Sequence, residues 1–228
     1  MIDVMTDLET ALDANGWAVL KGVLTAGQCR ALIDTYTDEA RFRTTVTMAR
    51  HGFGRGEYKY FSYPLPGRVE ELRTSLYPKL APTANRWSEM LKNDLRYPDS
   101  HRAFLKRCHD AGQRRPTPLL LKYGPGDYNC LHQDLYGEHV FPLQVAILLS
   151  APKTDFTGGE FVLTEQRPRM QSRASVVPLE QGDGVVFAVS HRPVVGARGP
   201  HRVTMRHGVS TIRSGARTTL GIIFHDAK

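Results

Sequence analysis

The chain has 228 residues, 41% hydrophobic and 23% charged, with a formal net charge of +7 and a pI near 9.4. That length buries one substantial core, so a single domain over residues 1–228 is expected, and no apolar run approaches the roughly 20 residues a membrane-crossing helix needs. Cys29, Cys108 and Cys130 are odd in number and lack C-x-x-C spacing, which speaks against a disulfide framework or a thiolate zinc site and for three reduced, buried thiols.

The N-terminal "MIDVMTDLETALDANG" is acidic and amphipathic, unlike a leader peptide, so a cytoplasmic location is expected. Residues 1–115 read as mainly helical support. Thr6 with Glu9 and Thr25 with Gln28 have capping-box spacing, and Cys29, Leu32, Ile33 and Tyr36 recur as a buried helical stripe. Between them "GWAVLKGVL" reads as a strand. Residues 43–64, with three glycines among Arg50, His51, Phe53, Arg55, Tyr58, Lys59 and Tyr60, suggest a mobile basic and aromatic lid, an ordinary surface hairpin being the competing reading. Pro82 is placed to start a helix carrying Trp87, Met90 and Leu91, and Ser100 and Gly112 bracket another carrying Phe104 and Cys108.

Residues 116–228 read as the catalytic core. Eight β-branched or alternating runs, "LLLKY", "NCLHQD", "LQVAILLS", "GEFVLTEQ", "SVVPL", "GVVFAV", "RVTMRHGVSTI" and "ARTTLGIIF", are separated by turn residues. They predict an α+β, mainly β protein: a jelly roll with the N-terminal helices packed on its sheet. No fixed-period repeat points to a propeller or solenoid.

Charge is uneven along this half. Arg167, Arg169, Arg173, Arg192, Arg198, Arg202, Arg206, Arg213 and Arg217 face only Glu180 and Asp183, which favours a polyanionic partner touched through "EQRPRMQSR" and "VGARGPHRVTMR". A solvated basic surface is the competing reading.

In "YGPGDYNCLHQDLYGEH" a histidine and an aspartate stand two residues apart after a glycine-rich turn. On a strand, His132 and Asp134 would point to one side and Gln133 to the other. A lone H-x-D is better read as a surface pair. His207 in "MRHGVSTIRSGARTTLGIIF" supplies a third candidate ligand, with Arg217 ten residues later. Two histidines and one carboxylate form the facial set that holds non-heme iron(II) and leaves coordination positions open. His139, His191 and His201 are rival histidines, better read as solvated or hydrogen-bonded. Asn129 and Gln144 could approach the site, but sheet hydrogen bonding is the better reading for both.

The order H-x-D, distant H, then basic residue, with "HGV...SG.R..L...F" around the second part, resembles the iron(II)- and 2-oxoglutarate-dependent dioxygenases. Within them, "YGPGDYNCLHQD" resembles the Y-x-P-G...H-Q-D stretch of AlkB-type nucleic-acid demethylases, and the whole chain resembles a bacterial oxygenase family described as acting on damaged DNA. The resemblance implies a double-stranded β-helix. It assigns iron(II) to His132, Asp134 and His207, the distal carboxylate of 2-oxoglutarate to Arg217, and contact with this cosubstrate to Tyr123. Thr219 lies on the same face as Arg217 and is placed to reach the same carboxylate. With O2 as second cosubstrate, the implied reaction is oxidative demethylation of an alkylated nucleic acid, with no membrane and no obligate protein partner. Two features depart from the AlkB pattern. Leu121 stands where those enzymes have asparagine, and the spacing from His207 to Arg217 is closer to prolyl hydroxylases. Hydroxylation of a protein side chain or small molecule therefore stays open, as does a non-catalytic jelly-roll binding module.

Overall fold

The computed structural model describes residues 4–135, 137–197 and 199–228, with side chains from Leu8 onward. Helix α1 (Val4–Asn15) buries Leu8 and Leu12, one turn apart, against the strand that follows, β1 (Trp17–Leu20). The capping box expected at Thr6 lies outside the described side chains. That at Thr25 is present: Thr25 accepts from the Gln28 amide at 3.3 Å and the Gln28 side chain accepts from the Thr25 amide at 2.9 Å, opening α2 (Ala26–Asp34).

Residues 43–64 are not a loose segment. They form β2 (Phe42–Thr47), a 3-10 turn at Met48–His51, β3 (Gly54–Arg55) and β4 (Glu57–Phe61). The alternation of this stretch explains the difference. Tyr58 and Tyr60 face inward over a cavity, while Lys59 between them is buried on the other face, its ammonium over the Tyr36 ring at 4.5 Å.

Helix α3 (Gly67–Met90) also departs from expectation, because Pro78 and Pro82 both lie inside it and Pro82 starts nothing. Each proline removes one helical hydrogen bond at a cost of about 3 kcal/mol. Burial of Leu72, Leu76, Tyr77, Leu80, Ala84 and Trp87 along one face offsets that cost. Helix α4 (His101–Asp110) runs as expected from its Ser100 cap and buries Phe104 and Cys108.

The strands that follow are β5 (Leu119–Tyr123), β6 (Tyr128–His132), β7 (Leu143–Leu148), β8 (Phe156–Gly158), β9 (Phe161–Gln166) and β10 (Arg173–Val177). The chain then continues through β11 (Gly184–Ala188), β12 (His191–Gly196), β13 (Gly199–Val209), β14 (Ile212–Gly215) and β15 (Arg217–Ile222). A major sheet has the order β1-β11-β7-β15-β5-β4-β2 and a minor sheet the order β10-β9-β13-β6-β3, with β12 paired to β13 and β14 to β8. This is the expected jelly roll, except that β1, β2, β3 and β4 come from the half read as helical support.

Strands β7, β11 and β15 are buried throughout. Val145, Ile147, Val186, Leu220 and Ile222 pack against the helices, whereas Ala146, Val185 and Phe187 meet Phe161, Leu163 and Val177 of the minor sheet. No helix among the described residues is long and apolar enough to cross a membrane. Cys29 and Cys108 are buried free thiols as expected, but Cys130 is exposed on the largely exposed strand β6.

Candidate metal and cosubstrate site

Strands β6 and β13 are antiparallel neighbours, and their register sets His207 directly opposite His132, with ring centroids 4.2 Å apart. Gly208 permits this approach, since a Cβ there would stand 2.7 Å from the Asn129 carbonyl oxygen. Asp134 completes the group, and one donor atom from each of His132, Asp134 and His207 lies within 4.8 Å of the others. The strand-alternation account of this convergence fails for Asp134, because β6 ends at His132 and residues 133–135 are irregular. Gln133 fixes that irregular segment instead, donating from Nε2 to the carbonyls of Ser190 at 2.9 Å and Met205 at 2.8 Å. Gln144 on β7 donates to Oδ2 of Asp134 at 2.6 Å, a role beyond the sheet hydrogen bonding that its sequence position suggested.

The donor atoms face one another in a way that suits a metal ion. Nδ1 of His132 lies 2.8 Å from the Cys130 carbonyl, which can only accept, so Nδ1 carries a proton and the neutral ring keeps its lone pair on Nε2. That Nε2 faces Oδ1 of Asp134 at 3.5 Å, and Nε2 of His207 faces Oδ2 at the same distance. A metal ion among the two Nε2 atoms and the carboxylate would satisfy all three, and without one a proton on an imidazole Nε2 does the same. Burial disfavours the Asp134 anion, yet hydrogen bonds and charge from both imidazoles hold its carboxyl well below the ordinary range. Burial also opposes the charged form of His132, but Asp134 and the Cys130 carbonyl raise its pKa nonetheless, whereas for His207 burial prevails and lowers it. Two imidazole nitrogens and one carboxylate on one side of a cavity match iron(II) with open positions.

Arg217 opens β15 on the facing sheet, opposite Tyr123 of β5. Its side chain is 1% exposed, no carboxylate among the described residues lies within ion-pairing distance, and its Nε has no partner. Burial pulls the guanidinium pKa down to about 10. One guanidinium nitrogen donates to Thr219 Oγ1 at 2.5 Å, and the Tyr123 and Phe156 rings flank the group at 5.9 Å. Gly159, with φ of +66°, leaves the space for it: a Cβ there would stand 2.9 Å from Arg217 Cδ. A buried unpaired cation calls for an anion, and the planar fork suits a carboxylate.

Both groups line one cavity of about 310 Å³, whose other walls include Met48, Phe53, Tyr58, Tyr60 and Leu135. The rival histidines lie elsewhere. His201 pairs with Val194 in the β12–β13 hairpin, His191 contacts Ser190, and the His139 amide donates to Gln113. The arginine excess is also less uniform than its sequence suggests. Arg192 is buried, and Arg167, Arg173 and Arg192 all converge on Glu165, while Arg198 lies outside the described residues.

Comparison with known proteins agrees with this geometry. An uncharacterized protein of Mycobacterium tuberculosis strain H37Rv is 56% identical over 167 residues, 73% of this chain and 72% of that protein. Among solved structures, an oxidoreductase of the 2OG-Fe(II) oxygenase family from Burkholderia pseudomallei is 18% identical, with a TM-score of 0.56 over 100% of this chain and 94% of its own. A Trichoplax adhaerens prolyl hydroxylase, solved with a hypoxia inducible factor oxygen degradation domain peptide fragment, is 13% identical, with a TM-score of 0.62 over 96% of this chain and 88% of its own. Fold and site together define a 2-oxoglutarate- and iron(II)-dependent oxygenase, with iron(II), 2-oxoglutarate and O2 as cofactor and cosubstrates. Residues 56–227 match the model of the Oxygenase-NA family, described as an oxygenase catalysing oxidative methylation of damaged DNA, and the chain belongs to that family.

Proposed function

We propose that this oxygenase removes alkyl groups oxidatively from damaged nucleic acid, with iron held by His132, Asp134 and His207 and the distal carboxylate of 2-oxoglutarate held by Arg217 and Thr219. Tyr123 would pack against the cosubstrate. The observation that carries this reading is the shared cavity: its ligand cluster and its unpaired Arg217 face each other, and the remaining walls offer aromatic faces, from Phe53, Tyr58 and Tyr60, suited to a flat ring. The description of the family, which names damaged DNA, supports the same substrate class.

Iron, when bound, supplies oxygen activation coupled to decarboxylation of 2-oxoglutarate, so that an N-methyl carbon is hydroxylated and departs as formaldehyde. The chain supplies the geometry. Cys130 holds the His132 tautomer through Nδ1 so that Nε2 is presented. Arg217 fixes the cosubstrate's orientation through a two-pronged contact. The tyrosines and Phe53 limit water at the cavity mouth.

A second reading, hydroxylation of a protein side chain, is favoured by the Arg217 spacing and by the fold shared with the prolyl hydroxylase. Succinate formation, measured with iron(II) and 2-oxoglutarate against methylated oligonucleotides, peptides and metabolites, separates the two. Stimulation by a methylated oligonucleotide with matching formaldehyde release is the expected result. Stimulation by a peptide alone would replace the first reading with the second.

A further inference from the structure

Asp134 stands two residues past the end of β6, where the strand ladder no longer positions it. Two amide side chains hold it. Gln133 ties its segment to the minor-sheet side through the Ser190 and Met205 carbonyls. Gln144 reaches it from the opposite side: it stands on β7 in the major sheet, is 4% exposed, and donates across the cavity to Oδ2. The major sheet also carries Arg217, two strand positions from Thr219, which pairs with Leu148 at the far end of β7. Gln144 is therefore a direct polar link between the sheet that holds the cosubstrate-binding cation and the segment that holds the carboxylate ligand.

We propose that Gln144 is a positioning residue with two effects on the same centre, an inference that rests on the iron assignment made above. First, by occupying a lone pair of Oδ2 it discourages Asp134 from chelating through both oxygens, which keeps the carboxylate to one coordination position and leaves the remaining positions for the cosubstrates. Second, it sets the separation between the metal and Arg217, so that one 2-oxoglutarate molecule satisfies both. Hydrogen bonds of this kind to metal ligands affect metal affinity by about 10- to 100-fold. A role confined to satisfying a buried carboxylate would instead show in the stability of the metal-free protein.

The test uses the full chain with manganese(II) as probe, bound fraction read by electron paramagnetic resonance, with and without saturating 2-oxoglutarate. Gln144→Leu, and Gln144→Met as a variant of closer length, remove the donor. The expected result is a manganese Kd raised about 10- to 100-fold, and a loss of most of the tightening that 2-oxoglutarate confers on the wild type. Thermal unfolding of the metal-free protein should stay near that of the wild type in at least one variant. An unchanged manganese Kd in a folded variant, or a loss of affinity that only tracks a loss of metal-free stability in both, would overturn the proposal. His132→Ala and His207→Ala serve as the separate control: retention of wild-type manganese binding by these would refute the iron assignment itself.

Discussion

At the scale of single residues, the site depends on which histidine completes the ligand group. His207 faces His132 across a strand pair, and His201, six residues earlier on the same strand, lies beside Val194 instead. His207→Ala should therefore abolish metal binding and turnover, and His201→Ala should retain both, as checked by metal titration and succinate formation. The reverse pattern would place the metal elsewhere. Arg217 admits a similar test. Losing a charge-assisted bond to a carboxylate costs about 1.5 to 3 kcal/mol, or roughly 10- to 150-fold in affinity. Arg217→Ala should raise the 2-oxoglutarate requirement by that factor and leave metal affinity nearly intact, since the residue touches none of the three ligands. Equal cosubstrate affinity in the variant would remove Arg217 from the site.

At the scale of elements, the β2–β4 region shapes the cavity mouth. The turn at Met48–His51 and strand β3 place exposed Arg50 and Arg55 on either side of Phe53, which stacks on His51 with centroids 5.3 Å apart and is itself 48% exposed. Neither arginine has an ion-pair partner among the described residues, in contrast to Arg167 and Arg173, which bind Glu165. Under the proposed function, phosphate contact falls better to Arg50 and Arg55 than to Arg167 and Arg173. Each phosphate neutralised on a single strand steepens the log affinity against log salt slope by about 0.7. Replacing both arginines by alanine should flatten it by about 1.4, measured by fluorescence anisotropy with a labelled oligonucleotide. Absence of wild-type binding at low salt would count against nucleic acid as the partner.

At the scale of the whole molecule, the C-terminal residues lock the helices to the major sheet. Arg73 of α3 and Asp226 form a fully buried ion pair at 2.7 Å, and Tyr63 and His109 also bond to Asp226. His101 of α4 bonds to the Phe224 carbonyl at 2.9 Å. Burial, reinforced by the Arg73 charge, lowers the His101 pKa to about 4, and His225 is lowered to about 4 for the same reasons. The folded state thus favours neutral imidazole. Above the unfolded value near 6.5 the stability is complete. As pH falls from 6.5 towards 4 the unfolded chain takes up protons that the folded chain refuses, and stability is lost until native protonation catches up below 4. For His101, 3% exposed, the loss approaches about 3 kcal/mol, large beside a typical total of about 5 to 15 kcal/mol. Urea unfolding of the metal-free protein at pH 7 and pH 4.5 should show the drop, and His101→Gln should reduce it. An undiminished drop in that variant would shift the cause to other groups.

Much of the site was legible in the chain because its spacing is local. His132 and Asp134 are two residues apart, and Arg217 and Thr219 share a strand face by simple alternation, so the chain offered them as candidates, although their roles were implied by the family resemblance and not by intervals alone. The jelly roll was legible for the same reason, from short runs between turns. Other features depended on contacts remote in sequence. Asp134 is held by Gln133 and Gln144 through bonds to other strands, which no local period encodes. The proline-containing α3 is stabilised by a buried face whose partners lie in the sheet, so a propensity argument broke it where packing does not. Arginines 167, 173 and 192 counted equally as charge until folding drew them onto Glu165. The sequence by itself determined which groups could bind iron and carboxylate. Only the tertiary structure decided which of them meet, because a ligand set or an ion pair is defined by distances across strands, and those follow from sheet register and burial rather than from intervals along the chain.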